Sequence, residues 1–107
     1  MYEVFLVTEA EEDLFDIYRF VAANDSPAKD DMLFAKLQEN VNSLTHQPTR
    51  GHAPPELARI DVKDFLEIHY KPYRILYQII DMDVYVHCVL DGRRNLQDLL
   101  QRRLLRS

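Results

Sequence analysis

Between Tyr70 and Leu100 the chain reads YKPYRILYQIIDMDVYVHCVLDGRRNLQDLL, and this stretch limits what the rest can become. Ile75, Tyr77 and Ile79 alternate with Arg74, Leu76, Gln78 and Ile80. Val84, Val86, Cys88 and Leu90 alternate with Tyr85, His87 and Val89. Strand side chains repeat every two residues, so the pattern predicts two β-strands, each with one wholly apolar face. Asp81-Met82-Asp83 is a polar break of hairpin length. The second strand then leaves through Asp91-Gly92-Arg93-Arg94. If Arg74 and His87 share the open face, as alternation allows, a rigid sheet presents cations beside the Arg93–Arg94 couple. That face is the candidate working surface.

Upstream, Phe65 to Lys71 reads as a further strand, with Leu66, Ile68 and Tyr70 on one side and Glu67, His69 and Lys71 on the other. Pro72 holds its predecessor extended, so the turn leads directly into the next strand. Tyr2 to Val7 is rich in β-formers and reads as a first strand. Thr8 and Glu11 have the spacing of a capping box. Ala10, Leu14, Ile17, Tyr18 and Val21 then form one helical stripe, with an acidic opposite face. Asn24-Asp25-Ser26-Pro27 ends that helix and starts another, Ser26 being a suitable N-cap and Pro27 suited to the first helical turn. Leu33, Leu37, Val41 and Leu44 mark the second helix. So short a connection predicts an antiparallel helical hairpin. His46 to Glu56 holds three prolines and a glycine and reads as a linker; Leu57 to Asp64 has no clear pattern. Asn95 can cap a final short helix carrying Leu96, Leu99, Leu100 and Leu104.

The expected fold is therefore α+β. An antiparallel sheet packs against an N-terminal helical hairpin in the order β-α-α-β-β-β, and a short C-terminal helix follows. Its 107 residues are expected to form one domain over 1–107. One cysteine, Cys88, allows neither an internal disulfide nor a cysteine-based metal site; within an apolar strand it reads as a small buried hydrophobe. His46 and His52 lack a third ligand nearby in sequence, so no metal and no cofactor are expected. With neither a signal sequence nor an apolar span, the expected location is the cytoplasm.

The net charge of −5 argues against a general nucleic-acid binder. It is unevenly spread. Acidic residues crowd positions 1–31, while Arg93, Arg94, Arg102, Arg103 and Arg106 load the C-terminus. Metal-free RNA cleavage needs a base, an acid and cations that hold phosphate charge. His69, Lys71, Arg74, His87, Arg93 and Arg94 are of the right types, although surface histidines and a turn lysine are also ordinary on polar strand faces.

The element order, the segment Tyr73-Arg74-Ile75-Leu76-Tyr77 and the Asp91-Gly92-Arg93-Arg94 exit resemble the RelE/ParE superfamily of toxins from bacterial type II toxin–antitoxin (plasmid stabilization) modules. The resemblance covers nearly the whole chain. It implies a small growth inhibitor held inactive by a cognate antitoxin. RelE-like members cut messenger RNA on the ribosome; ParE-like members poison DNA gyrase and are not nucleases. By this likeness Arg74 corresponds to the strand arginine of RelE-like sites and Arg93 or Arg94 to the second arginine, with His69 and His87 available as acid–base groups. RelE-like nucleases commonly carry a tyrosine or histidine after that second arginine and are strongly basic. Asn95 to Ser107 contains neither residue and this chain is acidic, so the resemblance leans toward the ParE-like members, as gyrase inhibitors. The alternatives are a ribosome-dependent endoribonuclease and an interaction module without activity. The antitoxin is expected along an apolar seam between the helical hairpin and the sheet edge. Candidate contacts are Leu14, Tyr18 and Leu37 on the helices and Arg102 and Arg103 in the basic tail.

Overall fold

In the computed structural model, which describes residues 1–24 and 27–105, four strands form one sheet in the order β1-β4-β3-β2. These are β1 (Glu3–Leu6), β2 (Leu66–Tyr70), β3 (Tyr73–Ile80) and β4 (Asp83–Asp91). The helices are α1 (Thr8–Asn24), α2 (Pro27–Asn42), α3 (Pro55–Ala58) and α4 (Gln97–Leu105). This is the expected α+β order with a short C-terminal helix. Strands β2, β3 and β4 pair antiparallel, while β1 joins the far edge of β4 in parallel, Glu3 opposite Asp83 and Leu6 opposite Val86. The expected N-cap at Ser26 and the tail residue Arg106 lie outside the described residues.

Local chemistry accounts for the element ends. Asp81 and Met82 close the β3–β4 hairpin, and Asp81 takes a left-handed φ of 56°, which aspartate tolerates better than most residues. The α1 ladder starts one residue before the expected Thr8 cap: the Val7 carbonyl accepts from the N–H groups of Ala10 and Glu11 at 2.9 and 3.1 Å. Asn95 Oδ1 accepts from the Gln97 N–H at 3.0 Å, but the α4 ladder starts at the Leu96 carbonyl, which accepts from the Leu100 N–H at 2.9 Å, so Asn95 stands one residue ahead of the cap position expected for it. Leu57 to Asp64, patternless in sequence, holds the end of the short helix α3 and the turns after it.

The main core lies between α1, α2 and one sheet face. Leu14, Leu37, Val41 and Leu44 pack there on Ile68, Ile75, Tyr77, Val84 and Val86. Burial at about 25 cal/mol per Å² of apolar surface holds this layer together. The other face is not open, which corrects the first expectation about the working surface. Leu96 and Leu100, around the start of α4, cover Leu76, Cys88 and Leu90 in a second, smaller core.

The strict alternation expected along β4 also fails. Leu76 lies opposite Cys88, but Tyr77 lies opposite Val86, so His87 is an extra residue in a β-bulge. The bulge shifts the phase of the strand. Val84, Val86 and Val89 face the helical hairpin, while Cys88 and Leu90 face α4. Both faces of β4 are thereby apolar, as a strand covered on both sides requires. Burial pushes the Cys88 thiol up to about 12, consistent with its expected role as a small buried hydrophobe.

Candidate functional site

Arg74 is the best-anchored cation of the sheet. It projects from β3 toward α3, and its guanidinium donates to both oxygens of Glu56 at 2.7 Å each. It also donates from Nε to Glu67 Oε1 at 2.7 Å and from a terminal nitrogen to Glu67 Oε2 at 2.9 Å. The side chain is 11% exposed, that of Glu56 11% and that of Glu67 1%. Two parallel donors meeting one carboxylate form the strongest common ion-pair geometry. Its bonds to Glu56, and then those to Glu67, raise the arginine well above its ordinary value against the opposing effect of burial. The same bonds hold Glu56 below the usual carboxylate range. An arginine between tyrosines inside a strand needs partners, and these two carboxylates are the partners.

Of the residues singled out for phosphate chemistry, Arg74, His69 and Arg93 line one groove at the β2–β3 turn with Lys71, Pro72, Tyr73 and Gly92. His69 is exposed, and its Nε2 lies 2.7 Å from Glu67 Oε1. Arg93 is bound to Asp91, its Nε donating at 3.0 Å and a terminal nitrogen at 2.6 Å. Arg94 points elsewhere, lining a second groove of about 420 Å³ with Asp13, Asp16, Phe20 and Asp91. His87 does not join Arg74 at all. Its ring packs edge-on against Phe65 at 5.6 Å, and its buried Nε2 has no hydrogen-bond partner. Burial, reinforced by the Arg103 cation, lowers its proton affinity. Arg74 and Arg93 thus share a groove as expected, while the expectation is corrected for His87, which the bulge packs against Phe65, and for Arg94, which lines the other groove.

The basic tail is largely spoken for at Arg103. This residue reaches from α4 to α1, donating to Asp13 Oδ1 at 3.2 Å and Asp13 Oδ2 at 2.8 Å, with its Nε 3.2 Å from Glu9. It also donates to the His87 carbonyl at 3.0 Å, while Asp13 accepts from the Val89 N–H at 3.0 Å. The pairing of β1 with β4 ends at Val86. Asp13 and Arg103 therefore take up backbone groups that the bulge and the end of β1 leave without a strand partner. Arg102 stays exposed on α4.

On the helical side, a groove of about 480 Å³ runs between the edge strand and the hairpin. Val4, Phe5, Leu6, Leu14, Phe15 and Phe34 line it, with Glu11 and Gln38 adding polar groups. This matches the apolar seam expected at the sheet edge. Leu14 lines the groove although it is almost buried, Tyr18 is half-exposed against Phe34, and Leu37 is wholly interior. Sequence reasoning passed over Phe15 and Phe20, exposed on a helix face read as acidic. It also missed Glu56, Glu67 and Asp13 as ion-pair partners. Their signal was weak, since Glu56 lies 18 residues from Arg74 and Asp13 lies 90 from Arg103.

A family model described as the ParE toxin of a type II toxin–antitoxin system, parDE, matches residues 4–96. Among solved structures, the chain is similar to one from a chromosomal ParDE toxin–antitoxin system of P. aeruginosa. The identity is 16% and the TM-score 0.71, over 85% of this chain and 96% of that one. At that identity the likeness speaks for the fold. A search of curated proteins finds no match.

Proposed function

The chain belongs to the ParE toxin family of type II toxin–antitoxin systems, and from that premise we propose that it inhibits growth by poisoning DNA gyrase when no antitoxin holds it. The observation that carries this choice over RNA cleavage is the state of Arg74. A cation that stabilises a developing phosphate charge must have donors to spare. Arg74 spends four of its five N–H donors on Glu56 and Glu67. His87, the second candidate acid–base group, is packed against Phe65.

The antitoxin is expected to lie in the groove between β1 and the α1–α2 hairpin. There the edge of β1 and the exposed Phe5 and Phe15 offer backbone pairing and apolar surface together. Leu14 and Tyr18 contribute to that surface, while Leu37 supports it from within. Arg102 remains available to an acidic segment, whereas Arg103 acts inside the fold.

One observation keeps the ribonuclease reading as an alternative: His69, Lys71 and Arg93 line a common groove. Antitoxin-free protein assayed in parallel on gyrase supercoiling and on ribosome-bound message separates the two. Blocked supercoiling with intact message is the expected result. Cleaved message with normal supercoiling would overturn the gyrase proposal.

A further inference from the structure

We propose that His52, Glu67 and His69 form a binding site for a divalent transition-metal ion, with Zn²⁺ the best fit. The sequence hides this set. His52 sits in the Pro/Gly linker and its two partners are on β2. The fold joins them through an isolated bridge in which His52 and Glu67 exchange backbone hydrogen bonds at 3.0 and 2.8 Å. Residues opposite each other in such a bridge share a sheet face, and Glu67 and His69 share it because they are two apart on one strand.

The ligand atoms are already gathered. One from each residue lies within 4.8 Å of the others. His69 Nε2 is 2.7 Å from Glu67 Oε1, and His52 Nε2 is 3.6 Å from Glu67 Oε2. Zinc–ligand bonds near 2.0–2.1 Å place tetrahedral ligand atoms about 3.3 Å apart. The gathered atoms lie within about 1.5 Å of that spacing, a shift that rotation of the exposed imidazoles supplies. Two imidazoles and one carboxylate suit zinc, and a solvent ligand would complete the tetrahedron.

The surroundings supply what a metal site needs beyond its ligands. Arg74 donates to both oxygens of Glu67, orienting the carboxylate as outer partners of metal ligands do. The second lone pair of Oε1 takes the His69 Nε2 hydrogen bond at 2.7 Å, which a bound metal would replace with release of that proton, and Oε2 has His52 Nε2 at 3.6 Å. The Glu56–Arg74–Glu67 cluster holds two carboxylates against one guanidinium, so a negative charge is left over in a largely buried place. A cation beside Glu67 offsets it. Both histidines are exposed, so an ion can enter from solvent. Once bound, it would staple the linker to the edge strand β2.

The test is titration of the untagged full chain, stripped with chelator, with ZnCl₂ by calorimetry, alongside thermal unfolding with and without the ion. One equivalent should bind with micromolar or tighter affinity and raise the Tm. His52→Gln and His69→Gln should each weaken binding more than tenfold while unfolding normally in chelator, because both side chains lie at the surface. His46→Gln, in the same linker but outside the cluster, should bind like the parent. Co²⁺ should give the visible absorption of a tetrahedral site, lost in the two variants. The absence of binding by the parent chain would overturn the assignment. So would unchanged affinity in His52→Gln or His69→Gln, or loss of binding in His46→Gln. None of these readouts depends on the toxin's target.

Discussion

Gly92 stands where the stem of Arg74 passes. A Cβ on Gly92 would lie 2.7 Å from Arg74 Cδ, 2.8 Å from its Cγ and 3.1 Å from the Pro72 carbonyl. The Gly92 N–H also donates to that carbonyl at 2.7 Å, which holds the start of the Gly-Arg-Arg segment against the β2–β3 turn. The strand arginine and the glycine after β4 are therefore one structural unit, and the missing side chain lets Arg74 extend to Glu56 and Glu67.

Gly92→Ala should then destabilise the fold by about 1–3 kcal/mol, the cost of overpacking a filled site. Urea unfolding measures it. The signature is coupling: in an Arg74→Ala background the glycine substitution should cost much less, because the stem it clashes with is gone. Equal costs in the two backgrounds would disconnect the residues.

Arg74→Ala should itself cost about 3–5 kcal/mol, since it strands Glu56 and Glu67 in a largely buried place. Arg74→Lys should fall between, because an ammonium cannot make paired parallel bonds. The acid limb carries the same information. Glu56 is held below its ordinary value of 4.5 by Arg74. Its contribution is present above that value and is lost as pH falls through the lower native value. The parent chain should lose stability over that range, and Arg74→Ala should lose less. A toxicity defect in Arg74→Ala that disappears when the fold is rescued by Glu56→Gln and Glu67→Gln would mark the arginine as structural.

The strands were legible because their pattern is local. Period-two alternation from Tyr73 to Ile80 and turn residues at Asp81–Met82 need no information from elsewhere. The bulge at His87 was not legible, since no glycine or proline marks it and the apolar alternation from Val84 to Leu90 runs through it unbroken. That one extra residue decides which face Cys88 and Leu90 occupy, and it places His87 apart from Arg74. The candidate site was legible in its members but not in their state. Arg74 needed partners by its position alone; Glu67 is its diagonal neighbour across the short β2–β3 turn and lay within reach of a hairpin rule, whereas Glu56, 18 residues away on α3, did not. His52 has neither Glu67 nor His69 nearby in sequence, and the bridge to β2 is what brings them beside it.

The Asp13–Arg103 pair should be tested as a double-mutant cycle. Asp13→Ala removes the acceptor of the Val89 N–H and one anchor of a guanidinium that is 14% exposed. A cost of about 2–3 kcal/mol is expected from the stranded donors. Arg103→Ala should cost a similar amount, and the two should couple by at least about 1 kcal/mol. Additive effects would mean that they do not jointly secure the bulge.

His87 gives a pH dependence of definite sign. Burial lowers its proton affinity from the ordinary value of 6.5, the Arg103 cation lowers it further, and Glu9 partly opposes them. Its buried Nε2 has no acceptor for an added proton. Below pH 6.5 the unfolded chain therefore takes up a proton that the native chain refuses. More protons bound in the unfolded state means that stability rises with pH. The contribution is complete above 6.5 and is lost on acidification, until the native histidine also titrates. His87→Phe keeps a ring against Phe65 and removes the titration. The difference in unfolding free energy between parent and variant should thus change by up to about 1.4 kcal/mol per pH unit below 6.5, to the parent's disadvantage. Denaturant titrations from neutral pH into the mildly acidic range measure that difference. Glu56 contributes equally to both proteins and cancels. Parallel pH profiles would show that the bulge carries an imidazole able to accept its proton in place, contrary to the packing described above.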